Sequence, residues 1–306
     1  MDKVYDIIII GGGPAGLAAA IYAGRAKLSC LIIESNTEGG QIVTTSDIEN
    51  YPGCLPEESG QTLVARMLEQ AERFGAEFAR DQVIAFDFNA QPKLVAGFAK
   101  DYYTKAVIIA TGAEPAKIGC PGEEQFTGSG VSYCATCDAA FFEGLPVYVV
   151  GGGDAAVEEA LYLTKFASEV TIIHRRDELR AAKSIQEKAF ANSKIKFAWS
   201  TVVEEIKGED FMSSMVLKNV KDGTLTEVNG EFGLFVFVGF KPNSGLFEDI
   251  LDMERGYIKT DENMQTSVPG VFAAGDIRVK SLRQVVTAVS DGAIAAVSAE
   301  KYIDSL

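Results

Sequence analysis

The sequence has few of the residues that zinc sites and nucleic-acid-binding surfaces require. Its 306 residues include one histidine, one tryptophan and five cysteines. A tetrahedral zinc site needs four ligands, and this chain offers one Cys-x-x-Cys pair, one histidine and no second pair. Its 28 basic residues face 43 acidic ones, and the formal net charge of −15 repels nucleic acid and anionic membrane surfaces. We therefore expect no metal, no nucleic-acid partner and no membrane partner.

Long apolar runs and a targeting segment are also missing. The longest apolar stretch, residues 7–23, is interrupted by four glycines and a proline, so it does not read as a membrane span. No basic, apolar leader with a cleavage site precedes the first strand at Val4. These absences predict a cytoplasmic protein, where five cysteines are not a disulfide framework. Cys30, Cys54 and Cys120 are interpreted as small buried or loop residues.

What the chain does have is a dinucleotide-binding fingerprint near its start. A buried strand over residues 4–10 leads directly into Gly11, Gly13 and Gly16, then into a helix and a second strand that ends at Glu34. The first glycine allows the turn, the second lets pyrophosphate approach the backbone, and the third lets helix and strand pack closely. A carboxylate at the end of the second strand can accept hydrogen bonds from ribose hydroxyls. The complete unit predicts a bound dinucleotide.

The fingerprint recurs in the middle of the chain with one informative change. After a strand over residues 145–150 come Gly151, Gly153 and Ala156, then a helix and another strand. Glu34 lies 23 positions after Gly11, and the residue 23 positions after Gly151 is His174. The acid of the first unit is therefore replaced by a basic cluster, which consists of His174, Arg175, Arg176 and, one turn on, Arg180.

This basic cluster distinguishes between two nicotinamide cofactors. Cationic donors favour a 2′-phosphate, whereas a carboxylate favours a free ribose hydroxyl. Because a charge-assisted hydrogen bond contributes about 1.5–3 kcal/mol, two such contacts give a preference on the order of a hundredfold. The alternative is that these arginines belong to a solvated helix start together with Asp177 and Glu178. His174 by itself could be a pH-titrating group, but it is interpreted as a strand-end or stacking histidine.

Between the two fingerprints lies the chain's only Cys-x-x-Cys pair, Cys134 and Cys137, followed by Asp138. The apolar run after it predicts that the pair opens a helix, whose N-terminus would lower the thiol pKa values. The spacing allows a small disulfide, and Asp138 could give or take a proton. Half a zinc site and an inert buried pair are the alternatives. The two flanking fingerprints favour an electron route from nicotinamide through flavin to a disulfide.

Periodicity predicts the remaining elements. Helices are predicted over 61–74, 181–191 and 284–302, and buried strands over 103–110, 234–240 and 271–274. The segments 195–200, 202–206, 215–220 and 225–228 are interpreted as short antiparallel strands. Asp276 follows the last core strand, where it could hydrogen-bond a cofactor's sugar or phosphate, or cap a helix. Gly- and Pro-rich composition predicts domain boundaries near 115–130 and 241–243.

Taken together, the motifs make the chain similar to low-molecular-weight, bacterial-type NADPH-dependent thioredoxin reductases, in the class II pyridine nucleotide-disulfide oxidoreductase family. The resemblance covers nearly the whole length. In the first half the matching residues are Gly11, Gly13, Pro14, Ala15, Gly16, Glu34, Gly40, Gln41, Asn50, Thr111, Gly112, Cys134, Cys137 and Asp138. In the second half they are Gly151, Gly153, Asp154, Ala155, Ala156, His174, Arg175, Arg176, Arg180, Gly275, Asp276, Arg283, Gln284 and Val285. One departure is Ser290, where the family often has glycine.

The resemblance implies an α/β protein with two doubly wound, Rossmann-like, three-layer nucleotide-binding domains, the second inserted into the first. Residues 1–115 and 243–306 would form the FAD domain, and residues 116–242 the NADPH domain that carries the cysteine pair. The implied activity is that of an oxidoreductase acting on a sulfur group, in a homodimer that passes electrons from NADPH through FAD to thioredoxin. Cys137 would then meet the flavin, Cys134 would attack the partner's disulfide, and Asp138 would handle the proton.

Three other functions remain open. A flavoprotein reductase of a peroxiredoxin system usually carries a thioredoxin-like module as an N-terminal extension, which this sequence does not show. Relatives that take electrons from ferredoxin or another donor lack the second fingerprint and its arginines, which this chain keeps. A non-enzymatic flavin redox sensor would use the dithiol as a switch, but no docking module accompanies it.

Overall fold

The computed structural model describes residues 3–36, 38–45, 48 and 50–306, apart from the side chain of Thr44. The chain divides into two compact units. The first comprises Met1–Glu114 together with Lys241–Leu306, and the second comprises Pro115–Phe240. The second unit is therefore an insertion into the sequence of the first. No helix in the described residues is long and apolar enough to cross a membrane.

The first unit is built on a mixed sheet with helices on one face. Its strands are β1 (Val4–Ile10), β2 (Cys30–Glu34), β3 (Glu77–Arg80), β4 (Val83–Asp87), β5 (Lys93–Gly97) and β6 (Asp101–Ile109). They lie in the order β3-β2-β1-β6-β5-β4. The first four of these are parallel, and β5 and β4 continue antiparallel as a meander. The helices are α1 (Pro14–Arg25) and α2 (Gly60–Arg73).

The four isoleucines of β1 show how the sequence produces layers. Ile7 and Ile9 face the core that α1 and α2 cover, and Ile8 and Ile10 face the core on the opposite side of the sheet. Because side chains alternate along a strand, a central strand covered on both faces must be apolar at every position. This is why the run 7–10 is continuous rather than alternating.

The second unit repeats the plan with a smaller sheet. A short strand, β7 (Ala113–Pro115), crosses from the first unit into the second. The strands within the second unit are β8 (Val131–Ser132), β9 (Pro146–Val150), β10 (Glu169–His174), β11 (Ile195–Trp199), β12 (Thr201–Gly208), β13 (Met212–Asn219), β14 (Leu225–Asn229) and β15 (Gly233–Val236). Its helices are α3 (Ala135–Asp138), α4 (Asp154–Leu163) and α5 (Lys183–Ala191). The parallel sheet has the order β11-β10-β9-β15-β8, and β12-β13-β14 form an antiparallel layer.

The chain then returns to the first unit. The closing elements are β16 (Phe240–Pro242), which pairs with β7, the hairpin β17 (Met253–Glu254) and β18 (Tyr257–Ile258), the strand β19 (Val271–Ala273) and the helix α6 (Val285–Asp304). β19 lies parallel to β6, and α6 packs against α1. The predicted α/β class with helix, parallel-sheet and antiparallel layers is confirmed.

Two strand predictions were wrong. The segment 195–200 was expected to pair antiparallel, but β11 lies parallel to β10, because the crossover helix α5 returns the chain in the same direction. The strand expected over 234–240 ends at Val236. Its partner β9 turns into a glycine loop after Val150, and Phe237 makes the last hydrogen bond to it, N to O 2.8 Å.

The predicted helix of the cysteine pair is confirmed only in part. Cys134 is the N-cap residue of α3, but this helix has four residues and continues as a 3-10 turn over Ala139–Phe142. Because both sulfurs are joined in a disulfide, the lowered thiol pKa values expected of this pair stay a prediction. The helix expected from residue 181 begins two residues later, at Lys183.

Candidate active site

The loop between β1 and α1 has the shape that a dinucleotide requires. Gly11 has φ +107°, and a Cβ there would lie 2.4 Å from the Ala110 carbonyl oxygen. A Cβ on Gly16 would lie 2.0 Å from the Gly11 oxygen, so helix and strand approach closely only because that residue is glycine. A Cβ on Gly13 would have no heavy atom closer than 3.9 Å. The open backbone at Gly13 leaves room for pyrophosphate at the start of α1, where Pro14 and the buried Ala15 follow.

Glu34 ends β2 beside this loop. Its Oε2 accepts a hydrogen bond from the Gly12 N–H at 2.8 Å, and its Oε1 accepts one from the Asn36 N–H at 2.9 Å. A carboxylate has about four acceptor positions, so the two oxygens keep capacity for ribose hydroxyls. The backbone contacts fix the carboxylate in the position that the fingerprint predicts.

The Gly39-Gly40 segment lies against the same loop. The Gly39 N–H donates to the Gly12 oxygen at 2.9 Å, and a Cβ on Gly40 would be 3.6 Å from the Gly13 Cα. Gly40 starts a short 3-10 helix, Gly40–Thr44, in which Gln41 is exposed. The structure therefore brings Gly40 and Gln41 to the dinucleotide loop.

Three further predicted site residues, Asn50, Gln284 and Thr111, take part in hydrogen bonds between distant segments. Asn50 Nδ2 donates to Gln284 Oε1 at 3.1 Å, and Gln284 is the N-cap residue of α6, which starts at Val285. Thr111 Oγ1 donates to the Asn243 carbonyl at 2.9 Å, and Asn243 Nδ2 donates to the Thr111 carbonyl at 3.0 Å.

The loop at Gly112, which has φ +69°, is closed by the same residue, since the Asn243 N–H donates to the Gly112 oxygen at 3.0 Å. The sequence indicated Asn243 only as a domain boundary. Its role in closing the loop depends on a contact between segments more than a hundred residues apart.

Two predicted polar residues carry buried atoms that have no partner in the described part of the chain. One is Asp276 Oδ1, in the 3-10 turn Gly275–Ile277 after β19, and the other is Arg283 Nε. Burial raises the pKa of Asp276, while Lys280 and Arg283 oppose that rise. The Arg283 guanidinium lies 4.2 Å from the Tyr257 ring centre. Unsatisfied buried polar atoms are costly, so both fit a ligand that supplies a donor and an acceptor here.

A buried charge cluster on α6, which the sequence analysis missed, supports this turn. Asp291 Oδ2 accepts from the Gly275 N–H at 3.1 Å and from Lys280 Nζ at 2.7 Å, and Arg278 Nη1 lies 3.4 Å away. Asp291 is 6% exposed. The sequence signal for Asp291 is an acidic residue on the apolar face of the last helix. It stands next to Gly292, where a Cβ would lie 2.0 Å from the Ala15 oxygen.

The second glycine loop, between β9 and α4, has the same construction. Gly151 has φ +154°, and a Cβ there would lie 2.4 Å from the Cβ of the buried Ala156. Gly153 is open, with no atom within 4 Å of an ideal Cβ. Asp154 and the exposed Ala155 begin α4, and Asp154 Oδ1 accepts from the Ala182 N–H at 2.7 Å.

The predicted basic cluster lies beside this loop. The Gly152 oxygen accepts from the Arg180 N–H at 2.7 Å, and an ideal Cβ on Gly152 would lie 2.4 Å from the His174 ring. Arg175, Arg176 and Arg180 are exposed, and no ion pair of theirs occurs among the described residues. The alternative placed these arginines with Asp177 and Glu178 at a solvated helix start, but the helix begins only at Lys183, and the Asp177 carboxylate lies 2.7 Å from Lys221 Nζ.

His174 is buried, and its Nε2 has no hydrogen-bond partner within the residues described. Burial, reinforced by Arg180, Arg176 and Arg175, lowers its pKa, so the imidazole is neutral at pH 7. A neutral ring keeps Nε2 available as a donor or an acceptor toward a ligand. Trp199, which the sequence analysis missed, pairs with His174 in the β10–β11 register and stacks on Phe197, with ring centres 4.8 Å apart.

Cys134 and Cys137 form a disulfide, with Cα atoms 5.3 Å apart. Ser132, at the end of β8, connects both sides of the pair. Its Oγ accepts from the Cys134 N–H at 3.1 Å and donates to Asp138 Oδ2 at 2.6 Å. Burial raises the pKa of Asp138, and the Ser132 hydrogen bond partly offsets that rise. The sequence contains no signal for this serine beyond its position two residues before Cys134.

The loop before the pair is held by a buried carboxylate. Glu123 accepts from the Tyr133 hydroxyl at 2.9 Å, from the Ile118 N–H at 2.9 Å and from the Gly119 N–H at 2.7 Å. Tyr133 precedes Cys134, so this network fixes the start of the disulfide loop. In the described part of the chain, no group of three or more Cys, His, Asp or Glu side chains is arranged to hold a metal ion.

Two nucleotide-type loops, together with a Cys-x-x-Cys disulfide in the same unit as the second loop, define a dinucleotide-dependent disulfide oxidoreductase. Residues 5–292 match the pyridine nucleotide-disulphide oxidoreductase family, and the chain belongs to it. It is 60% identical to the thioredoxin reductase of Peptoclostridium litorale, over 100% of this chain and 99% of that protein. It is 49% identical to the thioredoxin reductase of Bacillus subtilis (strain 168), over 100% of this chain and 96% of that protein.

A solved structure gives the same result. The crystal structure of thioredoxin reductase from Streptococcus pyogenes MGAS5005 matches with a TM-score of 0.95 and 48% identity, over 100% of both chains. The resemblance that the motifs indicated is therefore confirmed, and so is the predicted two-unit α/β fold.

Proposed function

We propose that this protein is an NADPH-dependent flavoprotein that reduces the disulfide of thioredoxin. The observation that carries the proposal is the Cys134–Cys137 disulfide, which lies in the same unit as a nucleotide loop and its basic cluster. The overall reaction balances as NADPH, a proton and oxidised thioredoxin giving NADP⁺ and the thioredoxin dithiol. Two electrons and two protons reach the partner's sulfurs in each turnover.

The first unit, residues 1–115 with 243–306 in the sequence-based division, is proposed to bind FAD. Gly11, Gly13 and Gly16, with Pro14 and Ala15, would receive the pyrophosphate, and Glu34 would bind the ribose. The unpartnered Asp276 Oδ1 and Arg283 Nε support a further set of polar contacts beside Gly275. The remaining proposed contacts are Gly40, Gln41, Asn50, Thr111, Gly112, Gln284 and Val285.

A bound FAD would supply the two-electron chemistry that links NADPH to the disulfide. This chain's own residues must orient the two nucleotides, exclude water and manage the protons. In the first unit, Arg278 and Lys280 form ion pairs with the buried Asp291, and Lys280 and Arg283 oppose the rise that burial causes in the pKa of Asp276.

The second unit, residues 116–242, is proposed to bind NADPH. Gly151, Gly153, Asp154, Ala155 and Ala156 would form the pyrophosphate site at the start of α4. Arg175, Arg176 and Arg180 would bind the 2′-phosphate, with His174 Nε2 directed to the same nucleotide. The exposure of the three arginines and the absence of ion pairs among the described residues support this assignment.

At the disulfide, Cys137 is proposed to receive electrons from the flavin and Cys134 to attack thioredoxin. When the Cys134 thiolate attacks, a mixed disulfide forms and the partner's second sulfur leaves as a thiolate. Asp138 is the proposed proton donor and acceptor. We further propose that the enzyme acts in the cytoplasm as a homodimer, without nucleic-acid or membrane partners.

The test is a steady-state assay of the purified, flavin-loaded protein with NADPH and a thioredoxin. The expected result is thioredoxin-dependent oxidation of NADPH at a rate far above that with NADH. Omitting thioredoxin, or replacing it with a peroxiredoxin, should leave only a slow background. Efficient turnover with a peroxiredoxin and a peroxide, in the absence of thioredoxin, would favour that alternative, and no turnover with either nucleotide would overturn the proposal.

Trp199 offers a direct report of NADPH binding, because it is the only tryptophan of the chain and pairs with His174. Adding NADP⁺ should change its fluorescence and saturate at one nucleotide per chain, while the same concentration of NAD⁺ should change it little. An emission that is insensitive to NADP⁺ would contradict the proposed binding site.

A further inference from the structure

The Ser132 hydroxyl has two possible acceptors for its single proton, and one of them is Asp138. Its Oγ lies 3.1 Å from the Cys134 N–H, 2.6 Å from Asp138 Oδ2 and 3.3 Å from the Cys134 carbonyl oxygen. A serine hydroxyl has one proton to donate and two lone pairs to accept with. The amide always takes one lone pair, so the hydroxyl proton must choose between two acceptors.

The charge of Asp138 decides that choice. When Asp138 is ionised, the carboxylate can only accept, so the Ser132 proton points to Oδ2. When Asp138 is protonated, its own O–H can donate to Ser132 Oγ, and the Ser132 proton turns to the Cys134 carbonyl. In both states each polar atom of this set keeps a partner, and the change requires only a rotation of one hydroxyl proton.

This matters because Asp138 is partly buried and Ser132 is only 4% exposed. A partly buried group that must change its protonation would otherwise lose a hydrogen bond in one of its two states, and a polar atom left without a partner there is unfavourable. We propose that Ser132 is a positioning residue that lets Asp138 exchange a proton in every turnover without leaving a buried polar atom unpaired. The inference rests on the proposed function, in which Asp138 serves the two sulfurs.

The Ser132 hydroxyl proton takes two orientations in each catalytic turnover, because Asp138 loses and regains a proton. When electrons from NADPH break the Cys134–Cys137 bond, the protonated Asp138 gives its proton to one of the two sulfurs and becomes a carboxylate. After the dithiol is consumed by thioredoxin, Asp138 takes a proton back, ultimately from solvent. While Asp138 is a carboxylate, the Ser132 proton points to it. Once Asp138 is protonated again, the Ser132 proton points to the Cys134 carbonyl.

Burial and the Ser132 hydrogen bond, rather than other ionisable groups, shift the pKa of Asp138. Its own segment contains the two cysteines, and the helix that packs against it, α4, contains Asp154, Glu158 and Glu159. The pKa of Glu159 is raised by burial and by Glu158. For Asp138, burial raises the pKa and the Ser132 hydrogen bond is the one opposing influence. Removing the hydroxyl should therefore raise the pKa of Asp138 further.

The test is Ser132→Ala, with kcat/KM for thioredoxin measured as a function of pH across the titration of Asp138. If the protonated acid is needed, the rate falls as pH rises through the pKa of Asp138, and the variant should move this alkaline limb upward by about one pH unit. At the acidic plateau the rate should fall about tenfold, since the carboxyl loses its fixed orientation. Ser132→Thr keeps the hydroxyl and should restore the wild-type limb.

Two controls separate this role from a merely structural one. In an Asp138→Asn background no carboxyl titrates, so adding Ser132→Ala should not shift the limb at all. Ser214→Ala, which changes another buried strand serine of the same unit, should leave the profile unchanged. A wild-type profile in Ser132→Ala, or an equal shift in the Asn background, would overturn the proposal.

A second readout does not depend on NADPH, FAD or thioredoxin. The protein is reduced with dithiothreitol, the reductant is removed, and the rate of alkylation by iodoacetamide is followed against pH. The Asp138-dependent inflection should move in Ser132→Ala and be absent in both Asn variants. If the wild type fails to reduce thioredoxin but this inflection moves as stated, the proposed function is wrong and the hydroxyl role stands.

Discussion

Replacing Cys134 with serine is expected to reduce thioredoxin turnover by at least about a thousandfold while leaving flavin reduction by NADPH intact. A serine hydroxyl cannot form the disulfide that Cys134 and Cys137 make, and it cannot attack a partner disulfide at neutral pH. The flavin and nucleotide sites involve neither sulfur in the proposed assignments. The measurement is NADPH oxidation with thioredoxin, beside NADPH oxidation with a small one-electron acceptor such as ferricyanide.

The control for this prediction is Cys120→Ser. Cys120 is a free, partly buried cysteine of the same unit, and burial raises its pKa to about 11. It therefore stays a protonated thiol at neutral pH, and the variant should retain both activities. Thioredoxin turnover that survives in Cys134→Ser, or that disappears in Cys120→Ser, would place the redox-active sulfur elsewhere.

Replacing Arg175 and Arg176 together with alanine is expected to lower kcat/KM for NADPH about a hundredfold or more, with less than about a threefold change for NADH. Each guanidinium would lose a charge-assisted hydrogen bond to the 2′-phosphate, a group that NADH lacks. Both side chains are exposed, so their removal leaves no cavity in the core. The loss should appear mainly in KM, because the phosphate is remote from the reacting atoms.

The matched control is Lys188→Ala, which removes an exposed cation from α5 in the same unit. It should leave the kinetics with both nucleotides within about twofold of wild type, since an isolated surface charge contributes little. An equal loss for NADPH and NADH in the double arginine variant would show that the cluster acts on folding or on the pyrophosphate. No loss for either would assign the basic cluster to the protein surface.

The parts of this molecule that are local in sequence were predictable. A glycine loop with its two strands and helix is a continuous segment, so the loops at Gly11 and Gly151 and the positions of Glu34 and His174 follow from spacing alone. The disulfide needs only three residues of separation. Strand direction was less accessible, because β11 is parallel only through the crossover that α5 makes.

The supporting residues could not be found in this way. Asp291 reaches the Gly275 turn from a helix. Asn243 closes the loop at Thr111, although the whole inserted unit separates these two residues in the sequence. Trp199 became relevant only through its pairing with His174. In each case the functional meaning lies in a contact between distant segments, and composition and periodicity carry no information about such a contact.

The measurement that most directly tests the proposed electron route is an anaerobic titration of the flavin-loaded protein with NADPH, followed by flavin absorbance. The wild type should consume about two equivalents per chain, because the flavin and the disulfide each take two electrons, and Cys134→Ser should consume about one. A wild type that consumes only one equivalent would show that the Cys134–Cys137 disulfide is not on the route. A flavin that NADPH fails to bleach would contradict the proposed route at its first step.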